Sequence, residues 1–224
     1  MTSTLKLAGA ALSFAFFSAA ALAQTAPGLP QDPGEYEFRA NRVVRLSGEI
    51  NRATAITVIQ RLQYLDANNP DGKDITLLIN SGGGDVEQGL AIYDTMRNLK
   101  SDVKTVCEGR AMSMAAVLLA AGAPGKRASL PHCRIMLHQA SAATSGKASD
   151  MVNQLGEITK MNEAMMDILS RHMDRDKTDV TRAFQPDYFV NAVEAKVLGV
   201  IDSIQTPARA PLPPGARPMP MLPR

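Results

Sequence analysis

The sequence has no tryptophan, and only 4% of its residues are aromatic. The core must therefore come from Ala, Val, Ile, Leu and twelve Met. Cysteine and histidine are scarce as well, with two and three in the chain. His132, His138 and His172 lack the paired Cys or carboxylate spacing of a metal site, so no metal and no cofactor is expected. A strong charge of either sign is also missing. The net charge is +2, far from the basic balance of a nucleic-acid binder, so nucleic acid is excluded as a partner. After residue 23 there is no run approaching the roughly 18 apolar residues of a membrane span. What remains is a chain of 224 residues, 45% hydrophobic and 21% charged, suited to one large domain with a substantial core.

The two ends differ from the middle. Residues 1–23 read as a secretory signal peptide. Lys6 supplies the positive start, Leu7 to Ala20 the apolar stretch, and Ala21-Leu22-Ala23 the A-x-A cleavage site. No stop-transfer flank follows, so the mature chain is expected to be periplasmic or secreted, without stable membrane insertion. Residues 24–35, with Pro27, Pro30 and Pro33, read as a linker. Residues 205–224 hold seven of the fourteen prolines, three Arg and no acid, the composition of a disordered tail. Removing Lys6 takes the net charge to +1, and removing the tail arginines takes it to −2. The basic excess therefore belongs to the tail.

Residues 36–204 alternate short β-branched runs with amphipathic stretches. Strands are predicted at Arg42–Leu46, Asp74–Ile79, Val103–Cys107, Arg134–Leu137 and Val200–Ile204. Helices are predicted at Thr54–Ala67, after Asp85, at Met114–Ala121, Ala148–His172 and Ala192–Leu198. The face of the first helix is Val58, Leu62 and Leu65; that of the second is Val86, Leu90, Tyr93 and Met96. The long helix carries Met151, Leu155, Ile158, Met165 and Leu169 at core spacing. Continuous apolar strands between helices imply an α/β fold with a largely parallel sheet and flanking helices.

In such a fold functional groups collect where strands end and helices begin. Gly82-Gly83-Gly84 stands at one junction, where free N–H groups can face an anion. A tight turn is the plainer reading, and the Gly-Lys-Ser/Thr of a P-loop is missing. Ser113 stands at a second junction; alone, it reads as an ordinary N-cap. His138 ends the next strand. With an acid, these would supply a nucleophile, a base and an orienting group.

Taken in order, Ile79-Asn80-Ser81-Gly82-Gly83-Gly84, Ile92-Tyr93-Asp94-Thr95-Met96, Cys107 to Ala115, Gly125-Lys126-Arg127 with Leu130-Pro131, and Met136-Leu137-His138-Gln139 resemble the ClpP family, the proteolytic subunits of Clp serine proteases. The closing segment, with Glu194-Ala195, Gly199 and Asp202, is similar too. The resemblance implies the ClpP/crotonase-like fold, with the long helix as its handle. It implies Ser113 as nucleophile, His138 as base and Asp187 as the acid that orients it. It implies the backbone N–H groups of Gly84 and Met114 as the oxyanion hole, with Gly82 and Gly83 in the substrate loop. Peptides or unfolded polypeptides would be the substrates, and a homo-oligomer, which could be a ring, the assembly.

Several positions depart from the family pattern. Gly82, Ala140 and Pro186 replace a Pro, a Pro and an Arg. Thr76, Leu78 and Ala128 stand where aromatics are common on the ATPase-docking face, and no axial loop is recognisable. Together with export, these argue against a Clp ATPase partner. The replacements at Gly82 and Pro186 motivate an alternative, a ClpP-fold scaffold or pseudoenzyme. A crotonase-like acyl-CoA enzyme ranks below both. Export makes a Cys107–Cys133 disulfide chemically feasible, although two buried free thiols are the preferred reading.

Overall fold

A computed structural model describes residues 33–141, 145–184 and 186–206. The signal-peptide assignment lies outside the described residues, as do most of the linker and of the Pro-rich tail. The linker's last residues differ from expectation: α1 (Pro33–Asn41) begins there, with proline at the first helical position, where its missing N–H costs nothing.

The elements then follow as β1 (Val43–Ile50), α2 (Arg52–Ala67), β2 (Ile75–Gly84), α3 (Val86–Asn98), β3 (Val103–Met112) and α4 (Met114–Ala120). After them come β4 (Arg127–Ser129), β5 (Arg134–Leu137), α5 (Ala148–Met173), α6 (Lys177–Ala183), β6 (Tyr188–Val190), α7 (Ala192–Leu198) and β7 (Ser203–Ile204). Local chemistry explains the boundaries. Asn51 and Asn191 each close a capping box, before α2 and α7, and the Asp85 carboxylate accepts the Gln88 N–H at the start of α3. Arg42 is not the start of a strand. It holds a left-handed φ of 56°, and its guanidinium donates to the carbonyls of Leu65 and Asp74, pinning the end of α2 to the start of β2.

The sheet is an α/β arrangement of order β1-β2-β3-β4-β7, and β5 also pairs with β3. All of these pairings are parallel; β5 with β6 is antiparallel. β3 forks. Its first half pairs with β4 at Thr105–Cys107 and its second with β5 at Arg110–Met112. Strands β2 and β3 run several residues beyond their apolar segments, through the Gly-rich run and through Glu108 to Met112. Parallel pairing carries them on where hydropathy alone ends the strand.

Helices α2, α3 and α4 pack against the sheet, and α5 packs against α4. Helix α4 is buried throughout, and it is apolar on every side, as an enclosed helix must be. Of the predicted α3 face, Tyr93 and Met96 are buried together with Ile92, while Val86 and Leu90 pack at the margin. The predicted α5 face divides. Met165 and Leu169 are buried with Met166, Ile168 and Met173, but Leu155 is 55% exposed and Val152 is 67% exposed. The helix outruns the domain, so its first turns have no core beneath them.

The two cysteines are not free. Cys107 and Cys133 form a disulfide with Cα atoms 6.1 Å apart, against the preference for free thiols. The fork explains the pairing. Cys107 is the last β3 residue in register with β4, and Cys133 sits on the turn that leads from β4 into β5, its N–H bonded to Leu130.

Candidate active site

The fork sets up the site. β3 delivers Ser113 from one strand end, and β5 delivers His138 from the neighbouring one. Ser113 adopts φ 54° and ψ −128° and makes no side-chain cap to α4, so it is not the ordinary N-cap its position suggests. A non-glycine residue in this region is strained. The surroundings hold it there: its N–H donates to the Met136 carbonyl at 2.8 Å, and its own carbonyl accepts from Ala116. The turn leaves the hydroxyl outside the helix.

His138 Nε2 lies 2.8 Å from Ser113 Oγ. His138 Nδ1 lies 3.1 Å from Asp187 Oδ1. The structure thus brings together the three side chains grouped from the sequence, although 49 positions separate His138 from Asp187. Asp187 arrives because β6 pairs antiparallel with β5, Leu137 opposite Tyr188. For Nε2 to accept the serine proton, Nδ1 carries the ring hydrogen and donates it to Asp187. A hydroxyl, imidazole and carboxylate in this series can pass a proton away from an attacking oxygen and stabilise the imidazolium that results.

The glycine run lies against the Ser113 turn. A Cβ at Gly83, whose φ is 91°, would sit 2.7 Å from Ser113 Cβ and 3.3 Å from the Met114 nitrogen. Gly84 at φ 146° is in register with Ile50 and leaves no room for a side chain against that residue's backbone. Gly82 is exposed on the same strand end. Met114 opens α4, so its N–H has no carbonyl within the helix to bond. Its side chain is buried against Gly89 of α3, where a Cβ would collide with it. The glycine at 89 thus lets α3 approach and fixes the start of α4.

Asn162 on α5 escapes sequence reasoning. Its amide bonds both the N–H and the carbonyl of Ala140, two residues after His138, and so steadies the chain beyond the imidazole. Its place on the half-buried side of α5 carries no signal of this contact. Beside it, Gln139, Thr159, Glu163, Met166 and Lys177 line a cavity of about 370 Å³. Among the described residues, no group of three or more His, Cys, Asp or Glu side chains is arranged to hold a metal ion.

The Clp protease family matches residues 36–208 of the chain. ATP-dependent Clp protease proteolytic subunit 1 of Borreliella burgdorferi is 43% identical over 186 residues, a span covering 80% of this chain and 95% of that one. The ATP-dependent Clp protease proteolytic subunit of Borreliella afzelii is 47% identical over 163 residues, covering 73% and 82%. The corresponding subunit of Borrelia garinii subsp. bavariensis is also 47% identical, covering 73% and 84%.

Proposed function

The chain belongs to the Clp protease family of serine-type endopeptidases, and on that premise we propose that it is an exported peptidase working through an acyl-enzyme on Ser113. The hydrogen-bonded series Ser113–His138–Asp187 carries the reading. His138 takes the Ser113 proton as Oγ attacks the scissile carbonyl, and returns it to the leaving amine. Asp187 keeps the ring in the required tautomer. The N–H groups of Gly84 and Met114 receive the oxyanion. The 370 Å³ cavity beyond Gln139 accepts a substrate side chain.

The substrates are peptides and unfolded polypeptide segments, and the working form is a homo-oligomer, with a ring as the family's arrangement. The exposed Val152 and Leu155 on α5 offer apolar surface for a neighbouring subunit. Residues 1–23 are removed on export, and the enzyme acts in the periplasm or outside the cell. The Cys107–Cys133 disulfide supports an oxidising compartment. The relatives are named as ATP-dependent. For this chain, export and the absence of aromatics at Thr76, Leu78 and Ala128 support function without a Clp ATPase.

The test is hydrolysis of fluorogenic peptides and of an unfolded protein by protein recovered from the periplasm, with no ATP or unfoldase added. Expected are an N-terminus at Gln24 and turnover that Ser113→Ala abolishes. Retention of residues 1–23 on cytoplasmic protein contradicts export. Turnover that appears only with a Clp ATPase contradicts independence. A folded oligomer with no turnover under either condition supports the scaffold instead.

A further inference from the structure

We propose that Arg110 and Arg134 form a carboxylate-binding subsite, which directs the peptidase to polypeptide segments with an acidic residue near the scissile bond. The proposal rests on the peptidase reading above.

Arg110 on β3 and Arg134 on β5 are direct partners in the parallel ladder, so both side chains project from the same face. The next pair, Ala111 and Ile135, is buried on the helix-covered side. The two arginines therefore emerge on the opposite, open face, and both are exposed. Like charges placed side by side on a sheet repel. Among the described residues neither guanidinium has an ion-pair or hydrogen-bond partner. Most other cations in and beside the sheet are paired, Lys104 on β3 being an exception among the described residues. Arg45 is held by Glu37 and Glu108, Lys126 by Asp74 and Asp102, and Arg127 by Asp202.

The pair lies on the approach to Ser113. The Arg110 guanidinium carbon is 3.9 Å from where a Cβ on Gly82 would stand. It therefore lies over the strand end that continues through Gly83 to the Ser113 turn. Arg110 precedes Ser113 by three residues, about 10 Å along a strand, within reach of a side chain a few residues from the scissile carbonyl. Beyond the charges, the same face carries half-buried Met112 and, opposite the buried Met136, Phe189, which is 49% exposed. Two guanidinium forks beside a methionine and phenylalanine surface suit an acidic side chain flanked by an apolar one. Arginine binds carboxylates through paired N–H donors, a geometry that neither lysine nor a neutral amide reproduces.

The experiment uses the mature oligomer and pairs of fluorogenic peptides that differ only by Glu or Gln, at each position within four residues of the cleaved bond. At one position or more, kcat/KM for the Glu peptide should exceed that for Gln about fivefold at low ionic strength. The ratio should shrink as salt is raised. In Arg110→Gln/Arg134→Gln it should fall to about one, and Arg110→Glu/Arg134→Glu should instead favour a Lys peptide. Melting temperature and native mass control for folding and assembly. Cleavage through Ser113 with no Glu preference at any position, or a preference unchanged in the double Gln variant, overturns the subsite and leaves the peptidase reading standing. A double variant of altered native mass assigns the pair to a contact between copies of the chain, and also overturns the subsite. Failure to cleave any peptide overturns both readings together.

Discussion

Cys107 and Cys133 are joined across the point where β3 changes partner from β4 to β5. Both are buried. The bond ties the strand that ends at Ser113 to the turn feeding the strand that ends at His138, so it fixes the register between nucleophile and base. Closing a chain segment of 26 residues' separation stabilises the fold by about 3 kcal/mol. Reduction, or Cys133→Ser, should lower Tm by roughly 6–12 °C, and the variant should no longer respond to reductant. Calorimetry with and without dithiothreitol, alongside mass measurement of the alkylated protein, checks both.

Gly83 is the closest constraint on the Ser113 turn. Gly83→Ala sets a methyl group against Ser113 Cβ and the Met112 carbonyl, at a φ that disfavours any side chain. The serine must shift. A displacement on the order of 1 Å costs about 100-fold in turnover, so kcat should fall by that factor while the protein stays folded by circular dichroism. Kinetics on a fluorogenic peptide measure it, and unchanged kcat would show the glycine to be free of the nucleophile.

Sequence patterning located the strand–helix junctions and their order, because each turn there is marked locally: glycines at 82–84, Asp85 as a cap, a lone Ser before an Ala-rich helix. It could not show that Ser113 abandons capping for a strained turn, since that depends on the Met136 carbonyl of another strand. The short strands β4 and β6 were invisible for the same reason. Three residues define no period, and partners distant in sequence make them strands. The cysteine pairing needed the fork in β3, and Asn162 needed the fold of α5 against Ala140. On α5, periodicity found one apolar stripe but could not say where the core beneath it stops.

Arg127 holds three chain segments through one guanidinium. It donates to the carbonyls of Ala120, His172 and Gly199 and pairs with Asp202. Burial raises the Asp202 pKa, but the hydrogen bonds from the Arg127 side chain and backbone outweigh it and leave the carboxyl below its ordinary value. Arg127→Ala strands a partly buried carboxylate and frees three carbonyls, and should cost about 3 kcal/mol. Urea unfolding reports the loss, and a change under 1 kcal/mol would contradict this role.

His172 makes stability depend on pH. Burial, reinforced by Arg97, Arg127 and Arg171, lowers its pKa to about 4, while its ring bonds Tyr93. The unfolded chain, with an ordinary His pKa of about 6.5, therefore binds more protons than the native one between these values. This contribution is complete above about pH 6.5 and is lost as pH falls toward 4. The ring is only partly buried, so the effect should be about 1 kcal/mol. Unfolding free energies at pH 7 and 5 should differ less in His172→Gln than in the parent.

The most direct measurement is covalent labelling of the mature protein with a fluorophosphonate, with the adduct mapped by peptide mass spectrometry. One adduct on Ser113 is expected. It should be absent in Ser113→Ala and formed about 10³-fold or more slowly in Asp187→Asn, where the His138 tautomer is no longer enforced. Well-folded protein that takes no label at Ser113, or labelling that persists undiminished in Ser113→Ala, would contradict the assignment of Ser113 as the nucleophile.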